Sequence, residues 1–325
     1  MIVAIAAAVL ACLAFATAGP RMAALLPPAA AVRLLVPTAV VSAGTGVFVL
    51  ATVTFTGLGQ LSELTNFVAW SPRRLHALTP IPPVASVVAG ALLLPIAVWT
   101  ARATGRSVRA LWLAHRTCRH LDNYRRFDDR HDVPVVVVEN PEPDAYTLTG
   151  FSARVVVTTG LLAALEPEGQ RILLAHEHSH RRHRHTWWTL AADLAAAVNP
   201  LLRPTARAIR HATERWADED AAATTDRRRV AATIAHVALL RTRPGPPVPS
   251  PAQAAAAATG GQVPRRVEAL LRPAPTMRAH HLTALAALIL AVLLGAAAVE
   301  HTGETLFERA EQPAASQHLA AVAHR

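Results

Sequence analysis

Leu173-Leu174-Ala175-His176-Glu177-His178-Ser179-His180 is the stretch that decides how this chain reads. An apolar approach runs into H-E-x-x-H. On a helix, His176 and His180 stand four residues apart on one face, where two imidazoles can share one zinc ion. Glu177 then stands beside the metal, placed for general-base work. Histidine makes up 16 of the 325 residues, so the motif needs support from the residues around it.

A catalytic zinc keeps three protein ligands and one open position. The long form of the motif, with a further histidine, fails because Thr186 holds that place. Glu214-Arg215-Trp216-Ala217-Asp218 offers a glutamate instead. Glu214 and Asp218 are also four apart and share a face. Glu214 suits a third ligand, and Asp218 suits accepting a hydrogen bond from a ligand histidine. Asn199-Pro200 breaks the chain between the two motifs and lets the second helix fold back on the first. The competing reading is a solvated His176-Glu177-His180 face, with Glu214 and Asp218 as surface acids pairing with Arg210 or Arg215. His178, His183, His185 and His211 read as basic-face residues. Trp187 and Trp188 read as interface or packing residues.

Around the motif the pattern predicts a small α+β unit. Val108 to Phe127 reads as a basic helix. Val133 to Val138 is a β-branched strand, Asn140 to Asp144 a turn, and Tyr146 to Thr149 and Arg154 to Thr158 two more strands, the second ended by Gly160. Pro167 and Glu168 suit a helix start, and the helix is expected to run from Gln170 to about Ala197. A second runs from Pro204 to about Thr225. Thr242 to Gly261 reads as a linker, and Pro264 to Leu271 as a short amphipathic helix.

Further out, the chain turns apolar. Ile2–Ala18, Leu34–Leu58, Pro83–Ala101 and Leu282–Val299 are runs near the ~20 residues that a membrane helix needs. Charged residues are 17% and hydrophobic ones 52%, against about 25% charged in soluble chains, which excludes an ordinary cytosolic enzyme. Ala16-Thr17-Ala18 resembles a signal cleavage site, but no positive charge precedes the apolar run, so a retained helix is expected. Two cysteines make no disulfide framework. The net charge of +10 is carried by arginine alone. Arg21, Arg33, Arg102, Arg106, Arg109, Arg116, Arg119, Arg272 and Arg278 fall on one side of the membrane if the N-terminus is outside; Arg73 and Arg74 are outnumbered. The charge therefore reads as a topology signal, with no nucleic acid as partner.

The expected layout is a three-helix membrane region (1–101), a cytoplasmic zinc domain (102–241), a linker and amphipathic segment (242–281), a fourth membrane helix (282–299) and a short outer tail (300–325). The fold class is an α-helical integral membrane protein of the plasma membrane with a mainly α, α+β zinc domain between its third and fourth spans.

Ala145-Tyr146-Thr147-Leu148, Arg154 to Leu162, Leu173 to His180 and Glu214 to Asp218 together resemble membrane-embedded zinc metallopeptidases. The BlaR/MecR antibiotic sensors are similar in layout, and HtpX-like and CAAX prenyl proteases are similar in the catalytic core. The resemblance implies a gluzincin-like domain with one zinc ion per chain, held by His176, His180 and Glu214. It implies Glu177 as catalytic base, Asp218 as support for a ligand, and the strand Ala145, Tyr146, Thr147, Leu148 as a place where substrate backbone pairs. About 25 residues follow Val299, too few for the penicillin-binding domain of the sensors. The expected activity is zinc-dependent endopeptidase action at the cytoplasmic membrane face on a protein or peptide, such as a transcriptional repressor or a membrane protein. The alternatives are an HtpX-like quality-control protease and a non-catalytic zinc-containing membrane adaptor.

Overall fold

The computed structural model describes residues 1–61, 70–120, 126–127, 135–148, 154–241 and 263–311. The linker expected at 242–261 and the tail beyond Glu311 lie outside the described residues. So do residues 121–125 of the expected basic helix, the first two residues of the strand expected at 133–138, and Thr149.

Among the described residues, four helices are long and apolar enough to cross a membrane: α1 (Ile2–Leu25), α2 (Pro28–Leu58), α4 (Pro83–His120) and, at the C-terminal end, α11 (Ala279–Glu311). Each contains one of the four apolar runs read from the sequence. Proline opens α2, α4 and the short α3 (Pro72–Leu78), where its missing N–H costs nothing. Lipid gives helices no hydrophobic drive to associate, so they pack through small residues. At Gly295 of α11, an added Cβ would stand 2.9 Å from the Ala8 Cα of α1. These two helices therefore touch backbone to backbone. Met1, Trp70 and Leu75 cluster with Leu306, Phe307 and Ala310. The start of α1 and the end of α11 thus lie at the same end of the bundle.

The α+β unit follows α4, which runs without a break from the third apolar stretch to His120. The basic helix expected over Val108–Phe127 is the outer part of this one helix, and Arg126–Phe127 is strand β1 instead. β2 (Val135–Val138), β3 (Ala145–Leu148) and β4 (Arg154–Thr158) complete a sheet of order β1-β2-β4-β3. β2 and β4 are parallel, and β3 lies antiparallel at the outer side of β4, with Thr147 opposite Val155. Val135, Val155 and Val157 face a small core with Leu161, Leu165 and Leu173.

Gly160 does not simply end a strand. It lies inside α5 (Thr159–Ala164), started by Thr158, whose hydroxyl accepts from the Leu161 N–H. A Cβ at Gly160 would stand 2.0 Å from the Pro141 carbonyl oxygen. Only glycine lets the 140–144 turn pass there.

The single helix expected from Gln170 to Ala197 is two helices, α6 (Pro167–Arg182) and α7 (His185–Val198). Arg184 between them adopts φ 53°, ψ 43°, the left-handed region, which a non-glycine residue rarely occupies. Side chains around the corner hold it. Ser179 donates to Asp220 at 2.6 Å, His183 Nε2 lies 2.9 Å from the same carboxylate oxygen, and His183 stacks on Trp216. A 3-10 turn (Pro200–Leu202) then leads into α8 (Arg203–Ala222), followed by α9 (Arg227–Arg241) and α10 (Val263–Leu271). The α9 helix had no counterpart in the sequence reading, because it lacks a one-sided apolar stripe. α10 agrees with the short helix expected at 264–271.

The largest apolar core joins the two parts of the molecule. Phe15, Leu26, Val32, Leu35 and Ala39 of the first two helices and their junction pack with Ala192 and Ala195 of α7, Leu202 of the 3-10 turn, and Ile209 and Trp216 of α8.

Candidate metal centre

α6 presents His176 and His180 one turn apart, as the four-residue spacing requires. Helix α8, folded back after Asn199-Pro200, delivers Glu214 opposite them. Its amphipathic pattern explains the approach: Ile209, Ala212, Trp216 and Ala217 are buried, and Glu214 falls at the margin of that face. His176 Nε2 lies 3.1 Å from His180 Nε2. Glu214 carboxylate oxygens lie 3.8 Å from His176 Nε2 and 3.6 Å from His180 Nε2. All three donor atoms fall within 4.8 Å of one another. Tetrahedral zinc with bonds near 2.0–2.1 Å separates its ligands by about 3.3 Å. The three residues fit such an ion in donor type and spacing.

Carboxylates and imidazoles arrange this triangle from behind. Asp218 Oδ1 lies 3.0 Å from His176 Nδ1. At that distance the carboxylate favours a ring proton on Nδ1, with Nε2 facing the triangle. Asp218 is almost fully buried. Burial by itself would raise its pKa, but Arg266 and then His176 hold the carboxyl well below the usual range. Burial would lower His176; Asp218 more than offsets this, and its pKa rises. Burial lowers His180 despite Glu214, and so favours the neutral ring that a metal ligand must present. Burial would raise Glu214, but His180, Arg266 and His176 pull it below the usual range.

Two participants escaped the sequence reading. Arg266 on α10 donates Nε and Nη2 to the two Asp218 oxygens at 2.8 and 2.6 Å, and its Nη1 lies 3.1 Å from Glu214. The acids thus pair with neither Arg210 nor Arg215; Arg210 bonds Asp193 instead. An arginine 48 residues from its partner, beyond a low-complexity stretch, leaves no local signal. His185 is the second. It was expected on a basic face, yet it is buried with its Nδ1 3.0 Å from His180 Nδ1. Burial and the imidazoles of His180, His183 and His176 push it down to about 2, so it stays neutral and can accept a hydrogen bond from the His180 Nδ1–H. Its five-residue offset from His180 was the one clue, hidden in a run of histidines and arginines.

Glu177 is buried, and its Oε2 accepts from the Thr147 hydroxyl of β3 at 2.6 Å. The strand predicted from Ala145 to Leu148 therefore lies against the H-E-x-x-H helix. Trp187 is partly exposed, and Trp188 packs against the shared core.

Two helix-borne histidines and a glutamate from a later helix form a donor set that could hold a metal ion, on a frame of four helices long and apolar enough to cross a membrane. Residues 109–198 match the model of Peptidase family M48. Over 68 residues the chain is 44% identical to a Protease HtpX homolog of Acidiphilium cryptum (strain JF-5), covering 20% of this chain and 23% of that protein. The match thus spans less than a quarter of that relative's length. The motif region is thus similar to Peptidase family M48 and to an HtpX homolog over these residues. No solved structure matches the chain. The family match ends before Glu214, Asp218 and Arg266, so their place at the centre rests on the geometry above.

Proposed function

We propose that this chain is a membrane-anchored, zinc-dependent endopeptidase. The observation that carries the proposal is the convergence of the His176, His180 and Glu214 donors beside Glu177. His176, His180 and Glu214 hold the metal, and Asp218 orients His176. When bound, the ion supplies Lewis-acid polarisation of the scissile carbonyl and lowers the pKa of water at the site. Glu177 takes a proton from that water and returns it to the leaving amine. Thr147 steadies Oε2 of Glu177, which keeps Oε1 for the proton. The β3 strand, Ala145, Tyr146, Thr147 and Leu148, receives substrate backbone by strand addition; the contact of Thr147 with the base supports this placement.

The substrates are membrane or membrane-tethered proteins. Arginine distribution supports an outside N-terminus and a cytoplasmic site. The shared end of α1 and α11, away from the peptidase helices, is consistent with it. The HtpX homolog favours quality control of membrane proteins over BlaR/MecR-like cleavage of a repressor. Purified protein in detergent should hold about one zinc per chain and cleave unfolded membrane-protein substrates. Glu177→Gln should keep the zinc and lose cleavage. Captured on Glu177→Gln, many partners indicate quality control, and one dominant partner indicates regulation. Zinc-free, well-folded wild-type protein would refute the reading. Zinc with every phenotype intact in Glu177→Gln would leave a structural adaptor in its place.

A further inference from the structure

We propose that α7, the 3-10 turn and the start of α8 form a re-entrant hairpin whose tip lies among lipid acyl chains. The inference is independent of peptidase activity. The hairpin runs along α2 between two fixed points. At its base, the Arg33 guanidinium lies 4.7 Å over the Trp216 ring, two residues from Glu214. At its tip, Asn199 Nδ2 lies 3.9 Å from the place a Cβ would take on Gly46. Gly46 is the midpoint of the charge-free run Leu34–Leu58. Thirteen residues separate Arg33 from Gly46, about 20 Å of helix at 1.5 Å per residue. With Arg33 at the headgroups, the tip sits well inside a hydrocarbon layer about 30 Å thick.

Helix α7 has 14 residues, about 21 Å. It can enter the layer and cannot cross it. The turn at Asn199-Pro200 sends the chain back, and α8 leans on α1, where the Thr205 hydroxyl donates to the Ala16 carbonyl at 3.4 Å. Backbone at that depth is tolerated where protein covers it, and Asn199 supplies a local partner by accepting from the Leu201 N–H at 3.1 Å. Charge is handled in the same way. Asp193, the only charged residue on α7 apart from its first-turn histidine, accepts two bonds from Arg210 across the hairpin at 2.6 and 2.7 Å. Arg203 lies 5.6 Å over Trp99 of α4, and the exposed Arg207 has a stem long enough to reach the headgroups. Paired and snorkelling charges are the form in which charge persists in a membrane.

The occupant of the tip follows from its surroundings. Leu201 is 56% exposed. It faces a notch of about 650 Å³ shared with Leu13, Ala16, Thr17, Pro20, Arg21 and Ala24 of the first membrane helix, whose one charged side chain, Arg21, donates to the Thr17 carbonyl at 3.1 Å. That notch continues the lipid-facing surface of α1, so acyl chains fill it.

The test uses full-length protein in phosphatidylcholine–phosphatidylglycerol vesicles. Leu201→Cys, made with Cys12→Ala and Cys118→Ala, carries a nitroxide. Leu94→Cys, on the exposed face of the third span, is the lipid control. Leu271→Cys, exposed on α10, is the aqueous control. The expected result is a Leu201 label open to oxygen and several-fold less open to a water-soluble nickel chelate than the Leu271 label. Nickel accessibility equal to that at Leu271 overturns the proposal. Pro204→Cys, also exposed, carries the same readout if Leu201→Cys does not fold.

Discussion

Arg266 ties the last described helix of the zinc region to the candidate metal centre, and its removal should be felt in two separate measurements. Its guanidinium makes two hydrogen bonds to Asp218, at 2.8 and 2.6 Å, and approaches Glu214 at 3.1 Å. The Arg266 and Asp218 side chains are 13% and 2% exposed, so water replaces little of what is lost. Breaking a buried pair by removing one partner costs about 3–5 kcal/mol, a large share of a stability of about 5–15 kcal/mol. In Arg266→Gln, the metal-free protein should therefore lose about 3–5 kcal/mol in denaturant titrations in detergent. Asp218 would also lose the charge that holds it in place behind His176, and zinc affinity should fall about 10–100-fold. Adding Asp218→Asn to Arg266→Gln should cost much less than the two single losses summed, because the residues share one interaction. Arg266→Lys should recover only part, since an ammonium cannot span both oxygens and Glu214 in one plane. An Arg266→Gln protein with wild-type midpoint and wild-type zinc affinity would refute the reasoning.

Three further outcomes follow from the same contacts. His185→Phe keeps the bulk but removes the Nδ1 partner of His180, and zinc affinity measured by chelator competition should drop by about tenfold or more. Gly160→Ala forces a Cβ against the Pro141 carbonyl, and the protein should lose about 1–3 kcal/mol, read in the same titrations, with the zinc stoichiometry of the folded fraction unchanged. Asp218 has a folded pKa below its unfolded value of about 3.9. Its contribution is therefore complete above about pH 4 and lost as pH falls through the folded pKa. Metal-free protein should weaken on acidification below about pH 4, and Asp218→Asn should flatten that part of the curve.

The sequence determined four long uncharged runs, and the fold carries each one as a helix long and apolar enough to cross a membrane. It also named the candidate donor residues, which the fold brings together. The i, i+4 spacings of His176 with His180 and of Glu214 with Asp218 place each pair on one face whatever the rest of the chain does. Three strands were legible as β-branched runs between turn residues. The corner at Arg184 was not, because helix periodicity continues through it and only the Ser179–Asp220–His183 contacts select the left-handed residue. The pairing of Asp218 with Arg266, the contact of His185 with His180 and the placement of Thr147 against Glu177 were decided by tertiary structure. Each joins residues whose neighbourhood depends on how separate elements dock. The lean of α7 and α8 against α1 and α2 is of the same kind. An alanine-rich face such as Ala192, Ala195 and Ala196 states that it is buried, and only the packed fold states that its partner is a membrane helix.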